Sequence, residues 1–244
     1  AMGKTTMMQL IANHVAIIQK KPVLIMSGEM PKEQIAMRLC CAMAPADIGV
    51  LRNAPHKLPK EEFTAYTNAV VMLKNVPMQI NDTSRPSIAN IRESIRKTQH
   101  QYGLVGAVLV DYLQIMKTTK PFAREDLKIA YFTGELKAMA KEFNCVIVLL
   151  SQLNRELEKR PNKRPVLSDL RESGAIEQDA DQIIFLYRDE IYNKESQFRG
   201  IAEAIVGKNR HGEAGTAYMH AQLKYCQFTN LDHDALNQIQ GNLI

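Results

Sequence analysis

The chain has 244 residues, 45% of them apolar, enough to bury one large core, which excludes a disordered tail or a disulfide-stapled miniprotein. Its 31 basic and 26 acidic residues leave a net charge of +5, a mild bias toward polyanionic partners that names none. No stretch reaches the roughly 18 consecutive apolar residues of a membrane helix, and Ala1-Met2-Gly3-Lys4 lacks the apolar middle of a signal peptide, so a cytoplasmic protein without membrane contact is expected.

Apolar residues at helical spacing, with charged opposite faces, predict a first helix over residues 6–20, and Val23-Leu24-Ile25-Met26 reads as a strand. Helices are expected next over 31–43, where Pro31 suits a first helical position, and over 60–73. A strand at 78–80, a helix over 87–102 and a strand at 107–110 follow. Residues 117–124 read as a surface loop, 125–143 as a helix and 146–150 as a strand. The strands at 107–110 and 146–150 are nearly continuous apolar runs, which places both centrally in a parallel sheet. Residues 154–174 crowd Arg155, Lys159, Arg160, Lys163 and Arg164 around Pro161 and Pro165, the pattern of a long basic surface loop, its charges solvated or, as a secondary reading for 155–164, in contact with DNA. Beyond residue 180, short runs at 182–187, 201–207, 216–221 and 225–229 suggest antiparallel strands finishing the sheet. The fold class is therefore α/β, a largely parallel central sheet with helices on both faces and antiparallel strands toward the C-terminus. Cys40, Cys41, Cys145 and Cys226 form no C-x-x-C pair and the histidines no H-E-x-x-H, so no zinc site is expected and the thiols read as reduced, mostly buried groups.

Chemistry-bearing residues gather at the ends of these strands. Met2-Gly3-Lys4-Thr5-Thr6 runs straight into a helix and matches the second half of a phosphate-binding loop, G-x-x-x-x-G-K-[ST]. In that motif backbone N–H groups cradle phosphates, the Lys neutralises their oxygens and the Ser/Thr hydroxyl joins the Mg²⁺ shell. Alone, the segment also reads as an ordinary helix start. Asp111 ends the strand at 107–110, where a carboxylate can support Mg²⁺ through water; alone, it also reads as a turn or cap residue. Glu29 follows Leu24-Ile25-Met26-Ser27-Gly28, placed to polarise a water or simply to favour a helix N-terminus. Ser151-Gln152 follows the strand at 146–150 and offers an amide to a γ-phosphate.

The segments Ser27-Gly28-Glu29-Met30-Pro31, Asp111-Tyr112-Leu113-Gln114, Ser151-Gln152-Leu153-Asn154-Arg155, Asp169-Leu170-Arg171-Glu172-Ser173-Gly174 to Gln178-Asp179-Ala180-Asp181, Tyr187-Arg188-Asp189-Glu190 and Gly207-Lys208-Asn209-Arg210-His211-Gly212 together resemble, in order and spacing, the RecA-like motor domain of bacterial DnaB-type replicative helicases. The resemblance covers essentially the entire chain and implies a RecA-like P-loop NTPase fold, with residues 1–244 forming a single motor domain that begins inside the phosphate-binding loop. It implies a homohexameric ring that hydrolyses ATP or another NTP with Mg²⁺ at subunit interfaces, draws single-stranded DNA through its centre 5′ to 3′ and opens the replication fork. A helicase loader and primase are the further partners it suggests.

Carried onto this sequence, the resemblance gives Met2, Gly3, Lys4, Thr5 and Thr6 to the nucleotide, and Thr5 and Asp111 to the metal. It makes Glu29 the catalytic base and Gln152 the γ-phosphate sensor. Lys208 and Arg210 become a cationic pair donated to a neighbour's nucleotide, Arg210 as the trans finger; without the resemblance both read as solvated hairpin charges. Arg171, Glu172 and Gly174 fall in the loop that follows DNA phosphates without reading bases. Gly28 stands where the family usually has Leu, which is expected to loosen the backbone beside Glu29. That departure and the partial phosphate loop keep open an ATP-gated or decoy subunit without turnover, and the shared phosphate chemistry keeps open a RecA-like recombinase.

Overall fold

The computed structural model describes residues 2–170 and 174–232. α1 (Lys4–Asn13) widens at its end into one π-helical turn, His14–Ile18, so the predicted helix over 6–20 has a looser last turn. β1 (Val23–Ser27) leads to α2 (Lys32–Met43), with Pro31 capping the helix rather than occupying its first turn. The six-residue α3 (Ile48–Asn53) is too short to show a period in sequence; it starts where the Asp47 carboxylate accepts the Gly49 and Val50 N–H groups. α4 (Lys60–Leu73), β2 (Met78–Asn81), α5 (Ile88–Tyr102), β3 (Ala107–Asp111), α6 (Glu125–Glu142) and β4 (Val146–Leu149) follow close to the predicted positions. Ser87 and Asn90 form a capping box at the start of α5.

β1 to β4 form a parallel sheet in the order β2-β1-β3-β4. Alternate residues enter two cores. Leu24, Met26, Val108 and Val110 pack with Ile91 and Ile95 of α5 and Phe132 and Met139 of α6. Val23, Ile25, Ala107 and Leu109 pack against Met8 and Ala12 of α1 and Ile35 and Leu39 of α2. Helices thus cover both faces, and every residue of β1 and β3 is buried.

β4 corrects one expectation. Among the described residues it is an edge strand, not a central one, and Val146 is 62% exposed. Its apolar run arises because Ile147 and Leu149 pack into one core while Val148 and Leu150 pack into the other. Cover on two faces, rather than neighbours on two edges, demands apolar residues throughout.

After α7 (Gly174–Asp179), β5 (Gln182–Tyr187), β6 (Ile201–Asn209), β7 (Gly215–Gln222) and β8 (Gln227–Asn230) pair in order as an antiparallel sheet. Among the described residues these strands bond to one another rather than extending the parallel sheet. β5 alternates exposed and buried positions, the signature of a sheet covered on one face only. Ile183 and Phe185 join the α5–α6 core, so the two sheets share one apolar interior.

Residues 117–124 form no helix or strand, as expected. The basic stretch before residue 170 is not a free solvated loop. It carries two short 3₁₀ turns, Arg155–Lys159 and Leu167–Asp169. Arg160 pairs with the buried Asp169 carboxylate at 2.8 Å, and Arg164 forks onto the buried Glu203 at 2.8 and 2.7 Å. Both guanidinium groups are used inside the molecule, which weakens this stretch as a nucleic-acid surface. All four cysteines are free, and burial pushes the thiols of Cys40 and Cys41 up to about 11 and about 12. Among the described residues no group of His, Cys, Asp and Glu is arranged to hold a metal by itself, and no helix is long and apolar enough to cross a membrane.

Candidate functional site at the strand ends

α1 begins directly after Gly3, whose φ of +98° few other residues adopt; a Cβ there would also meet Phe228 of β8 at 2.6 Å. No side chain caps the helix and no acidic residue sits in its first turn, so the positive end of its dipole faces outward beside the exposed Lys4. The two hydroxyls that follow diverge. Thr5 Oγ1 donates to Asp111 Oδ2 at 3.2 Å. Thr6 is buried, and its Oγ1 accepts from Arg38 Nη2 at 3.2 Å, so only its backbone remains available to a ligand. Arg38 also donates from Nε to Gln9 Oε1 at 3.3 Å, tying the first turns of α1 to the middle of α2. Met2, half-buried, precedes the turn.

Asp111, the last residue of β3, is 4% exposed. Burial pushes its carboxyl above the usual range and the Glu29 charge adds to this, while the Thr5 hydrogen bond, Lys4 and Arg38 pull it back. Glu29 reaches the same edge because Ser27 pairs with Asp111 in register and the Gly28 N–H donates to the Asp111 carbonyl at 3.0 Å. Ser27 Oγ then bonds both the N–H and the carbonyl of Met30, closing a turn with Glu29 exposed on it. Gly28 stands at a close contact: a Cβ on it would lie 2.3 Å from Ile115 Cδ1 and 3.1 Å from Pro86 Cδ, so a larger residue would displace the Ile115 side chain.

β4 lies beside β3, and its end brings Gln152 to the same edge as Asp111. Lys4, Thr5, Glu29, Asp111 and Gln152 therefore gather at the carboxyl ends of adjacent parallel strands, where open α/β sheets place their ligands.

Lys208 and Arg210 do not join this cluster. Lys208 Nζ donates to the Glu177 carbonyl, and Arg210 pairs with Asp181 at 3.0 Å and donates to the Gln178 carbonyl at 3.2 Å. They line an open cleft with Gly174 at the start of α7. Gly174 also borders a second cleft, with Arg124, Glu125 and Asp126. Arg171 and Glu172 lie outside the described residues. Sequence pattern does not single out Arg38 or Gln114: Gln114 ends the segment Asp111-Tyr112-Leu113-Gln114 and Arg38 lies within an ordinary amphipathic helix, and neither carries a local signal of its partner.

Residues 1–230 match the family described as DnaB-like helicase C terminal domain. The chain belongs to that family. Relatives named Replicative DNA helicase DnaB include the Haemophilus influenzae protein, 41% identical over 95% of this chain and 49% of its own length. The Geobacillus stearothermophilus protein is 37% identical over 95% of this chain and 51% of its own. The chain thus spans about half the length of the curated relatives it matches. Two solved structures, each 34% identical over 95% of this chain, superpose with a TM-score of 0.90. One is titled as an ATPase domain, 82% of which is covered. The other is titled as a DnaB-like replicative helicase and its interactions with primase, with 55% covered. The DnaB-like fold explains the two joined sheets: this is a RecA-like architecture, parallel strands carrying the polar cluster and antiparallel strands packed beside them.

Proposed function

We propose that this chain is the motor domain of an ATP-dependent replicative DNA helicase, acting in a homohexameric ring that moves 5′ to 3′ along single-stranded DNA and separates the duplex. The observation that carries this reading is the Thr5–Asp111 hydrogen bond between an uncapped helix start and a buried strand-end carboxylate, in a chain of the DnaB-like family. These residues fit a nucleoside triphosphate with Mg²⁺. One buried carboxylate, kept costly to ionise, and one hydroxyl suit a metal that takes its remaining ligands from phosphates and water. When bound, Mg²⁺ would draw charge from the β- and γ-phosphates.

The backbone from Met2 to Thr6 and the Lys4 ammonium would hold the phosphates at the helix N-terminus. Thr5 and Asp111 would hold the metal, Asp111 through water. Glu29 would orient the attacking water and take its proton, and the Gln152 amide would contact the γ-phosphate. Lys208 and Arg210, which donate to carbonyls of α7, would complete a neighbour's site, with Arg210 stabilising the charge that builds during phosphoryl transfer. Arg171, Glu172 and Gly174 would follow the DNA backbone without reading sequence. A helicase loader and primase are the protein partners this reading adds.

Single-strand-stimulated ATP turnover and fork unwinding by the full protein test it. Loss of both in Lys4→Ala and Arg210→Ala, with native melting, is the expected outcome; unchanged turnover rejects the reading. Phosphate release that depends on Glu29 rules out a decoy or ATP-gated subunit. A strand-exchange assay separates it from a recombinase.

A further inference from the structure

The main-chain ladder between β3 and β4 ends with Val110 opposite Leu149, followed by the Leu150 N–H donating to the Val110 carbonyl at 2.9 Å. The Leu113 N–H then donates to the Leu150 carbonyl, also at 2.9 Å. Past that point no strand among the described residues pairs with residues 151 and 152, and a side chain takes over. Gln114, central in the 3₁₀ turn Leu113–Ile115, turns its amide onto them. Its Oε1 accepts the Gln152 N–H at 3.3 Å. Its Nε2 donates to Ser151 Oγ at 2.9 Å and to the Gln152 carbonyl at 3.4 Å. One amide therefore satisfies both main-chain polar groups of Gln152, as a neighbouring strand would. The Gln152 side chain is exposed and bonds to nothing among the described residues.

We propose that Gln114 is a positioning residue for ATP turnover: it clamps the main chain of Gln152 so that the free Gln152 amide is presented beside Asp111 at the strand ends. The inference rests on the reading of Gln152 as the γ-phosphate sensor. A residue just past a strand end samples many backbone conformers, and fixing one of them is worth roughly tenfold or more in population. The clamp also joins the turn that follows Asp111 to the residue that follows β4, so that the metal-side and phosphate-side groups keep one spacing. Gln114 itself touches no reacting atom in this scheme and acts through Gln152 alone.

The test is steady-state ATP turnover of the full protein with single-stranded DNA, comparing Gln114→Ala, Gln152→Ala and the double variant. Gln114→Ala is expected to lower kcat about tenfold while KM for ATP stays within about twofold. Adding Gln114→Ala to Gln152→Ala is expected to change kcat by less than about twofold, because no sensor remains to be positioned. A purely structural role would multiply the two losses, and that result overturns the inference. So does a Gln114→Ala protein that turns over like the parent while Gln152→Ala is slow. Parental turnover in Gln152→Ala overturns the sensor reading itself, and this inference with it. Should Gln114→Ala melt early, the isosteric Gln114→Glu decides: it keeps the acceptor for the Gln152 N–H and loses both donations. The same kcat loss, absent in the Gln152→Ala background, is then expected, and a loss that persists in that background overturns the proposal.

Discussion

The Thr5 hydroxyl donates to the Asp111 carboxylate across 3.2 Å, joining the first turn of α1 to the end of β3, 106 residues along the chain. Asp111 sits in a conflict. Burial and the Glu29 charge hold its carboxyl above the ordinary range, and Thr5, Lys4 and Arg38 only partly relieve this. A buried carboxylate that is costly to ionise is a poor choice for stability and a good one for taking a cation.

Replacing Asp111 with Asn separates those two roles. Because the folded state holds the Asp111 proton more tightly than the unfolded state, stability falls as pH rises from the ordinary carboxylate range through the raised value. Asp111→Asn removes that loss while keeping an acceptor for Thr5. The variant is expected to melt a few degrees higher than the parent at pH ~7, to lose the advantage below pH ~4, where Asp111 is itself neutral, and to show no ATP turnover. Calorimetry at both pH values checks the sign, and a variant that melts lower at neutral pH counts against the argument.

The Arg210–Asp181 pair is about half exposed on both sides, so it contributes little and is easily exchanged for another anion. If Arg210 serves the neighbour's nucleotide, the defects of Lys4→Ala and Arg210→Ala lie on opposite sides of each subunit interface. Equal mixing of the two inactive proteins before assembly should restore about a quarter of the sites, each formed by a Lys4 and an Arg210 from different chains. Phosphate release from the mixture, against each variant alone, reads this directly; a mixture as inactive as its components places both residues in one site.

Glu203 is more buried than its partner, with side-chain exposures of 7% for Glu203 and 34% for Arg164. The Arg164 guanidinium also lies 4.9 Å from the centre of the Tyr187 ring. Arg164→Ala leaves an unpaired buried carboxylate and is expected to destabilise the domain by roughly 2–3 kcal/mol. Arg164→Met with Glu203→Leu should cost clearly less, since it removes both charges. Urea midpoints of the two proteins settle the order.

A methyl group on Gly28 would meet Ile115 Cδ1 at 2.3 Å. Gly28→Ala is therefore expected to cost about 1–3 kcal/mol by overpacking. Ile115→Val removes the offending methyl and should recover part of that loss, giving a favourable coupling in a double-mutant cycle. Strict additivity would show that the strain lies elsewhere.

Much of this molecule was legible from local pattern. The helices at 60–73 and 125–143 and the strand at 107–110 follow from apolar spacing, and Lys4, Thr5, Glu29 and Asp111 stand out because each adjoins a strand end or helix start. The tertiary structure decided what covers each apolar face. It put β4 at an edge, gave the antiparallel strands their own sheet, turned Thr6 toward Arg38 and made Gly28 a point of close contact. It also drew Arg160 and Arg164 from an apparently solvated loop onto buried carboxylates, and set the Gln114 amide against Gln152. Periodicity along a chain records how much water each side chain can meet, whereas partners 9 to 106 residues apart are chosen only when the whole sheet and its helices close together.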